Sequence, residues 1–287
     1  MCDRDHSAED QEGYEAHGLI TRKQFGIILA AGVAMLLPGV ANAVTVTESE
    51  VTVKTPDGTA DCYFVHPSAG TAPGVLVWPD IFGLRPALRQ MGKRLAESGY
   101  SVLVVNPFYR TQKAPTAAQG AATPVAQLMP LAQTLNATTQ VTDAKAFIGW
   151  LDQQPSVAKN RKMGTQGYCM GGAMTFRTAY AVPDRVGAVA SFHGGNGLVT
   201  DKPDSPHLQA ASSKAQFLVA IAENDDMKAP TEKTVMKETF DKAGLSAEVE
   251  VYEATHGWCP PDSGVYNEPL AEKAWSRLLA LYGKALA

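Results

Sequence analysis

The chain has 287 residues, 45% of them hydrophobic, and a formal net charge of −4. That apolar content supports a sizeable core and excludes disorder of the whole chain, and α/β folds of this length commonly form one domain. The first 43 residues carry six acids and three bases, so the remaining 22 basic and 23 acidic residues nearly balance and present no basic face for nucleic acid.

Residues 1–20 are polar and acidic. Thr21-Arg22-Lys23-Gln24-Phe25 then leads into an apolar run from Ile27 to Val40, closed by Ala41-Asn42-Ala43. Charge, apolar run and small-residue site follow one another in the order of an export signal. Arg22-Lys23 with Phe25 resembles a twin-arginine signal, with Lys23 in place of the second arginine. The run is too short for a stable membrane anchor. The expectation is therefore a leader over 1–43, a mature chain starting near Val44, and a periplasmic or secreted protein.

From Val44 the alternation of Val44, Val46, Val51 and Val53, the turn signal Pro56-Asp57-Gly58 and the run Asp61 to Val65 predict a hairpin over 44–66. Gly74 to Trp78 and Ser101 to Val105 are short continuous apolar runs, as in strands buried on both faces. Between them Leu88, Met91 and Leu95 mark a helix over Pro86 to Ser98. A proline- and alanine-rich excursion, Pro107 to Gln133, reads as a loop or small cap. Helices are then predicted at 138–151, 170–180, 232–243 and 268–282, and strands at 162–167, 186–191, 217–222 and 248–252. Strands alternating with helices after an opening hairpin predict an α/β fold, a largely parallel doubly wound sheet.

The chemistry concentrates in Gly167-Tyr168-Cys169-Met170-Gly171, a G-x-C-x-G segment between a predicted strand and a predicted helix. A sharp turn there lifts the nucleophile above the sheet, the two glycines relieve crowding, and a helix N-terminus favours the thiolate. The Met170 amide is then available to an oxyanion. A base should follow downstream, preceded by an acid. His256 stands after the strand ending near Tyr252, and Ala222-Glu223-Asn224-Asp225-Asp226 follows the strand 217–222. Asp225 is preferred over Asp226 as the acid, and both stay open. His193, after the strand that follows the turn, reads either as a pocket-lining residue or as plain packing, and both stay open; His207 reads as part of a polar, proline-flanked loop. The four cysteines, Cys2, Cys62, Cys169 and Cys259, have no metal-site spacing, and neither metal nor organic cofactor is expected. Cys62 and Cys259 are a candidate pair in an oxidising compartment.

Together these residues resemble the dienelactone hydrolase family of α/β-hydrolases, over most of the chain after about residue 50. The resemblance implies a Cys-His-Asp triad of Cys169, His256 and Asp225, acting on a small-molecule ester or lactone. Trp78-Pro79-Asp80-Ile81-Phe82-Gly83-Leu84 resembles the segment in which an acid contacts the resting thiol. It implies that role for Asp80 and a second oxyanion amide at Ile81. Asn106-Pro107-Phe108-Tyr109-Arg110 resembles the segment that supplies a substrate-carboxylate arginine, implying Arg110, and His256-Gly257-Trp258 matches the family's H-G-F-like segment, implying Trp258 in the pocket. Dienelactone-cleaving members carry a second arginine four residues after the histidine; that place is Pro260 here. Other ester or thioester chemistry on the same fold, and a non-catalytic redox-sensing thiol at Cys169, are the alternative readings.

Overall fold

The computed structural model describes residues 37–287, so most of the expected leader, residues 1–36, lies outside the described residues. Eight strands form one sheet: β1 (Val46–Thr55), β2 (Gly58–Pro67), β3 (Gly74–Trp78), β4 (Ser101–Val105), β5 (Met163–Tyr168), β6 (Val186–Phe192), β7 (Gln216–Ala222) and β8 (Ala247–Tyr252). Their spatial order is β1-β2-β4-β3-β5-β6-β7-β8. β1 and β2 are an antiparallel hairpin in register from Val46↔Pro67 to Thr55↔Gly58, and β2 joins β4 antiparallel. Every pairing from β4 to β8 is parallel.

Successive residues on a strand point to opposite faces, and the central strands are apolar on both. Leu76, Trp78, Leu103, Val105, Phe217 and Val219 enter one core. Their neighbours Val75, Val77, Val102, Val104, Leu218 and Ala220 enter the other. The second face is covered by α1 (Pro86–Glu97), through Leu88, Met91 and Leu95, and by α8 (Glu268–Ala285), through Ala274, Leu278 and Tyr282. The first face is covered by α3 (Ala137–Leu151), α4 (Gly171–Ala181) and α7 (Glu232–Lys242), through Phe147, Ile148, Met174, Phe176, Met236 and Phe240. Each such large buried side chain contributes about 2 kcal/mol. α1 and α8 are joined by a two-pronged Arg94–Glu272 ion pair, with the guanidinium lying over Trp275.

Three features depart from the sequence reading. The excursion contains a helix, α2 (Val125–Ala132), with Pro130 inside it. Short helices α5 (Pro206–Ala210) and α6 (Glu223–Lys228) follow β6 and β7, and His207 is buried on α5, bonded through Nδ1 to Ser205 Oγ at 2.8 Å. Cys62 and Cys259 are free thiols that lie in the cores on opposite faces of the sheet, which rules out their pairing.

Candidate active site

β5 ends at Tyr168 and α4 begins at Gly171, so Cys169 and Met170 alone make the turn. Cys169 has φ 52°, in the left-handed region, where a residue with a Cβ is strained by about 1–2 kcal/mol. Its surroundings hold it there. The Cys169 N–H points at both Phe192 O and His193 Nδ1, each at 3.1 Å, and the Gly172 N–H returns to Cys169 O at 2.9 Å. A Cβ on Gly167 would fall 2.3 Å from Gly171 O, and one on Gly171 would fall 2.5 Å from Trp78 O. Those two glycines let the turn close on itself and let the Trp78–Pro79 loop press against it. The loop brings Ile81 beside Met170, and both side chains pack in one apolar cluster with Leu128 of α2.

The acid and base candidates meet at the adjoining strand ends. His256 Nδ1 lies 2.7 Å from Asp225 Oδ2, and Asp225 is 1% exposed. The His256 backbone N–H donates to Asn224 Oδ1 at 2.8 Å, and the Glu223 N–H to Ala254 O at 3.0 Å, so α6 and the loop after β8 are laced together. Asp226 points elsewhere, to Lys233 Nζ at 2.5 Å.

His193 and Trp258 are both fully buried behind the turn. His193, at φ 40°, accepts the Cys169 amide through Nδ1, which leaves the proton of the neutral ring on Nε2. Its ring stands edge-on to His256 and to Trp258, with centroids 5.0 and 5.1 Å apart. Burial first, then the neighbouring His256, holds its pKa well below the ordinary histidine value. It braces Cys169 and His256 from behind. Trp258 stacks on Tyr252 and closes the same layer.

Asp80 is held by Arg85. The guanidinium donates to Asp80 Oδ1 at 2.6 Å and Oδ2 at 2.9 Å, and to Asp262 Oδ2 at 2.6 Å and Oδ1 at 2.9 Å. Arg85 is 1% exposed. Asp80 Oδ1 also accepts the Phe82 amide, and Asp262 Oδ2 accepts the Ala121 amide of the excursion at 3.4 Å. Burial pushes the Asp80 carboxyl above the usual carboxylate range, with Arg85 pulling against it.

Arg110 is paired within the chain. Its fork is occupied by the chain's own carboxylates: Nη1 and Nη2 donate to Asp143, each at 2.8 Å, and Nε and Nη2 to Asp57 in the β1–β2 turn. It ties the hairpin to α3 and has no guanidinium edge left for a substrate carboxylate. Among the described residues no group of three or more His, Cys, Asp or Glu is arranged to hold a metal ion.

Sequence reading also missed Asn224, Arg85, Asp262 and Glu232. Buried Glu232 accepts the Leu198 and Val199 amides through Oε1, at 3.0 and 2.9 Å, and fixes the loop beyond His193. Burial raises its pKa to about 7, with Asp225 and Asp226 adding to the rise. Asn224 was within view, in the acid-bearing segment. Asp262 and Glu232 lie far from their partners along the chain, and Arg85, though five residues from Asp80, has its second partner 177 residues away.

The sequence pattern of the dienelactone hydrolase family matches residues 60–286. A Methylorubrum extorquens protein named "Putative carboxymethylenebutenolidase" is 28% identical over 265 residues, which are 87% of this chain and 88% of that one. A carboxymethylenebutenolidase of Rhodococcus opacus is 26% identical over 158 residues, 54% of this chain and 58% of the relative. Among solved structures, a dienelactone hydrolase-like promiscuous phosphotriesterase from metagenomic libraries superposes with a TM-score of 0.67 at 20% identity, covering 84% of this chain and 99% of its own. At that identity the likeness shows the fold alone.

Proposed function

The chain belongs to the dienelactone hydrolase family, and from that premise we propose that it hydrolyses an ester or lactone with Cys169 as nucleophile, His256 as base and Asp225 as the acid that orients it. The observation that carries this reading is the 2.7 Å His256–Asp225 bond at the C-terminal ends of the parallel strands, the same sheet edge as the Cys169 turn. Ligands of open α/β sheets bind outside that edge.

The Cys169 thiolate attacks the carbonyl carbon, and the carbonyl π electrons move to oxygen. The amides of Met170 and Ile81 receive that oxyanion; the loss of one such donor typically slows a reaction by about 10²–10³-fold. The intermediate collapses with cleavage of the C–O bond, and the departing alkoxide takes a proton from His256. His256 then removes a proton from water, which attacks the thioester and releases the acid and the thiolate. Asp225 holds the proton on Nδ1, leaving Nε2 for these transfers, and stabilises the imidazolium. His193, neutral and buried, adds no charge that would oppose it.

The test is turnover of p-nitrophenyl esters and simple lactones by wild type and Cys169→Ala. Hydrolysis lost in the variant, with the circular dichroism unchanged, supports the reading. Persistent hydrolysis sinks it. A silent wild type whose thiol instead reacts with peroxide favours the redox-sensing alternative. We further propose export: residues 1–43 act as a leader and the hydrolase domain is residues 44–287. Exported material should start near Val44 by mass spectrometry, and an intact Met1 there would refute it.

A further inference from the structure

The hydrolase reading leaves the substrate class open, and two sets of contacts bear on it. The first is the state of the arginines. Arg85 stands at the end of the loop beside the turn: it is bonded to Asp80, next to Ile81, and is close enough to His193 to lower that ring's basicity. Yet each of its three nitrogens is directed at a carboxylate oxygen of Asp80 or Asp262. Two carboxylates around one guanidinium give this corner no positive charge to offer. Arg110 is likewise closed by Asp143 and Asp57.

The second is the apolar character of α2. Leu128 packs with Ile81 and Ala117, and Phe82, Val125, Met129 and Met170 pack around them. Ile81 and Met170 are the residues whose amides are to hold the oxyanion. A carbonyl seated on those amides therefore places its flanking groups beside α2. An isolated carboxylate brought there would lose water and find Arg85 and Arg110 already paired, a desolvation loss of several kcal/mol.

We infer that this hydrolase takes uncharged esters or lactones with an apolar group resting against α2, and that the half-buried Val125 and Met129 set that preference. The inference rests on the hydrolase reading and deepens it. The excursion is held in place for this role, because Asp262 accepts the Ala121 amide while bonded to Arg85.

The experiment compares p-nitrophenyl hexanoate with p-nitrophenyl hydrogen adipate, esters of equal chain length ending in a methyl or a carboxylate. Wild type should favour the hexanoate in kcat/KM by about 100-fold, the scale of an unpaired buried carboxylate. Met129→Lys places a cation on the half-buried rim of α2 and should shrink that ratio at least about 10-fold, the scale of one charge pair at partial burial. Val125→Lys, one turn earlier on the helix, repeats the measurement if Met129→Lys fails to fold by circular dichroism. Equal turnover of the two esters by wild type, or an unchanged ratio in the folded lysine variant, overturns the inference and leaves the hydrolase reading standing. Turnover of neither ester, or equal turnover by Cys169→Ala, removes the hydrolase reading itself.

Discussion

The turn at Cys169 and the ion cluster at Arg85 stand on either side of the same loop, and they are built in opposite ways. The turn is local: glycines at 167 and 171 allow it, and contacts within a few residues or with the next strand hold it. The cluster is remote: Arg85 draws Asp262 from 177 residues away, and Asp262 in turn holds the excursion. Local construction fixes the Cys169 turn. Remote construction ties the parts that surround a substrate, and makes each depend on the others.

The sharpest way to examine the local half is Asp225→Asn beside Asp226→Asn. The first should lower kcat by about 10⁴-fold through loss of the correct histidine tautomer, while the second, which loses only a partly exposed bond to Lys233, should stay within about threefold. Comparable losses would break the assignment. Next is the remote half. Arg85→Met leaves Asp80 buried without its partner and should destabilise the fold by about 3–5 kcal/mol, read from urea denaturation. A loss under about 1 kcal/mol would show that the cluster is not a structural tie.

Gly167→Ala comes third. The added carbon would meet a backbone oxygen at 2.3 Å, which no rotamer relieves, so a loss of about 3 kcal/mol with a larger fall in activity than in helical signal is expected. The smallest effect is at Glu232, which fixes the loop beyond His193. Its folded pKa of about 7 exceeds the 4.5 of a free glutamate, so the folded state keeps a proton that the unfolded chain releases. Stability should fall as pH rises from about 4.5 to about 7. Glu232→Gln keeps an acceptor for the Leu198 and Val199 amides and should remove that slope, gaining about 2 kcal/mol at pH 8. Parallel thermal-melt curves for wild type and variant from pH 5 to 8 would contradict this.

The same contrast explains what the sequence revealed. Central strands were legible because continuous apolar runs answer to burial on both faces, and the turn was legible because its glycines sit beside the cysteine. Asp225 and Asp226 could not be separated, since neighbours on a helix project about 100° apart and only the packing of α6 shows which turns inward. α2 was hidden by Pro130 and by a composition that suits loops as well as helices. The full burial of His193 and Trp258 was not legible because residue type signals chemistry without signalling exposure. The pairing of Arg110 was not legible because neither Asp57 nor Asp143 is marked in the sequence as its partner.

The strand order also bears on how the molecule assembles. β5 lies between β3 and β6, and its register sets Val75 against Gly164. A long stretch of chain, including the whole excursion, must therefore be looped out before the strand that delivers Cys169 can take its place. Such distant pairings come slowly, because the entropy of closing the loop is lost before the contacts form. A chain refolding from denaturant should regain its helices well before β5 takes its place between β3 and β6, so that the scaffold is complete before the turn at Cys169 forms.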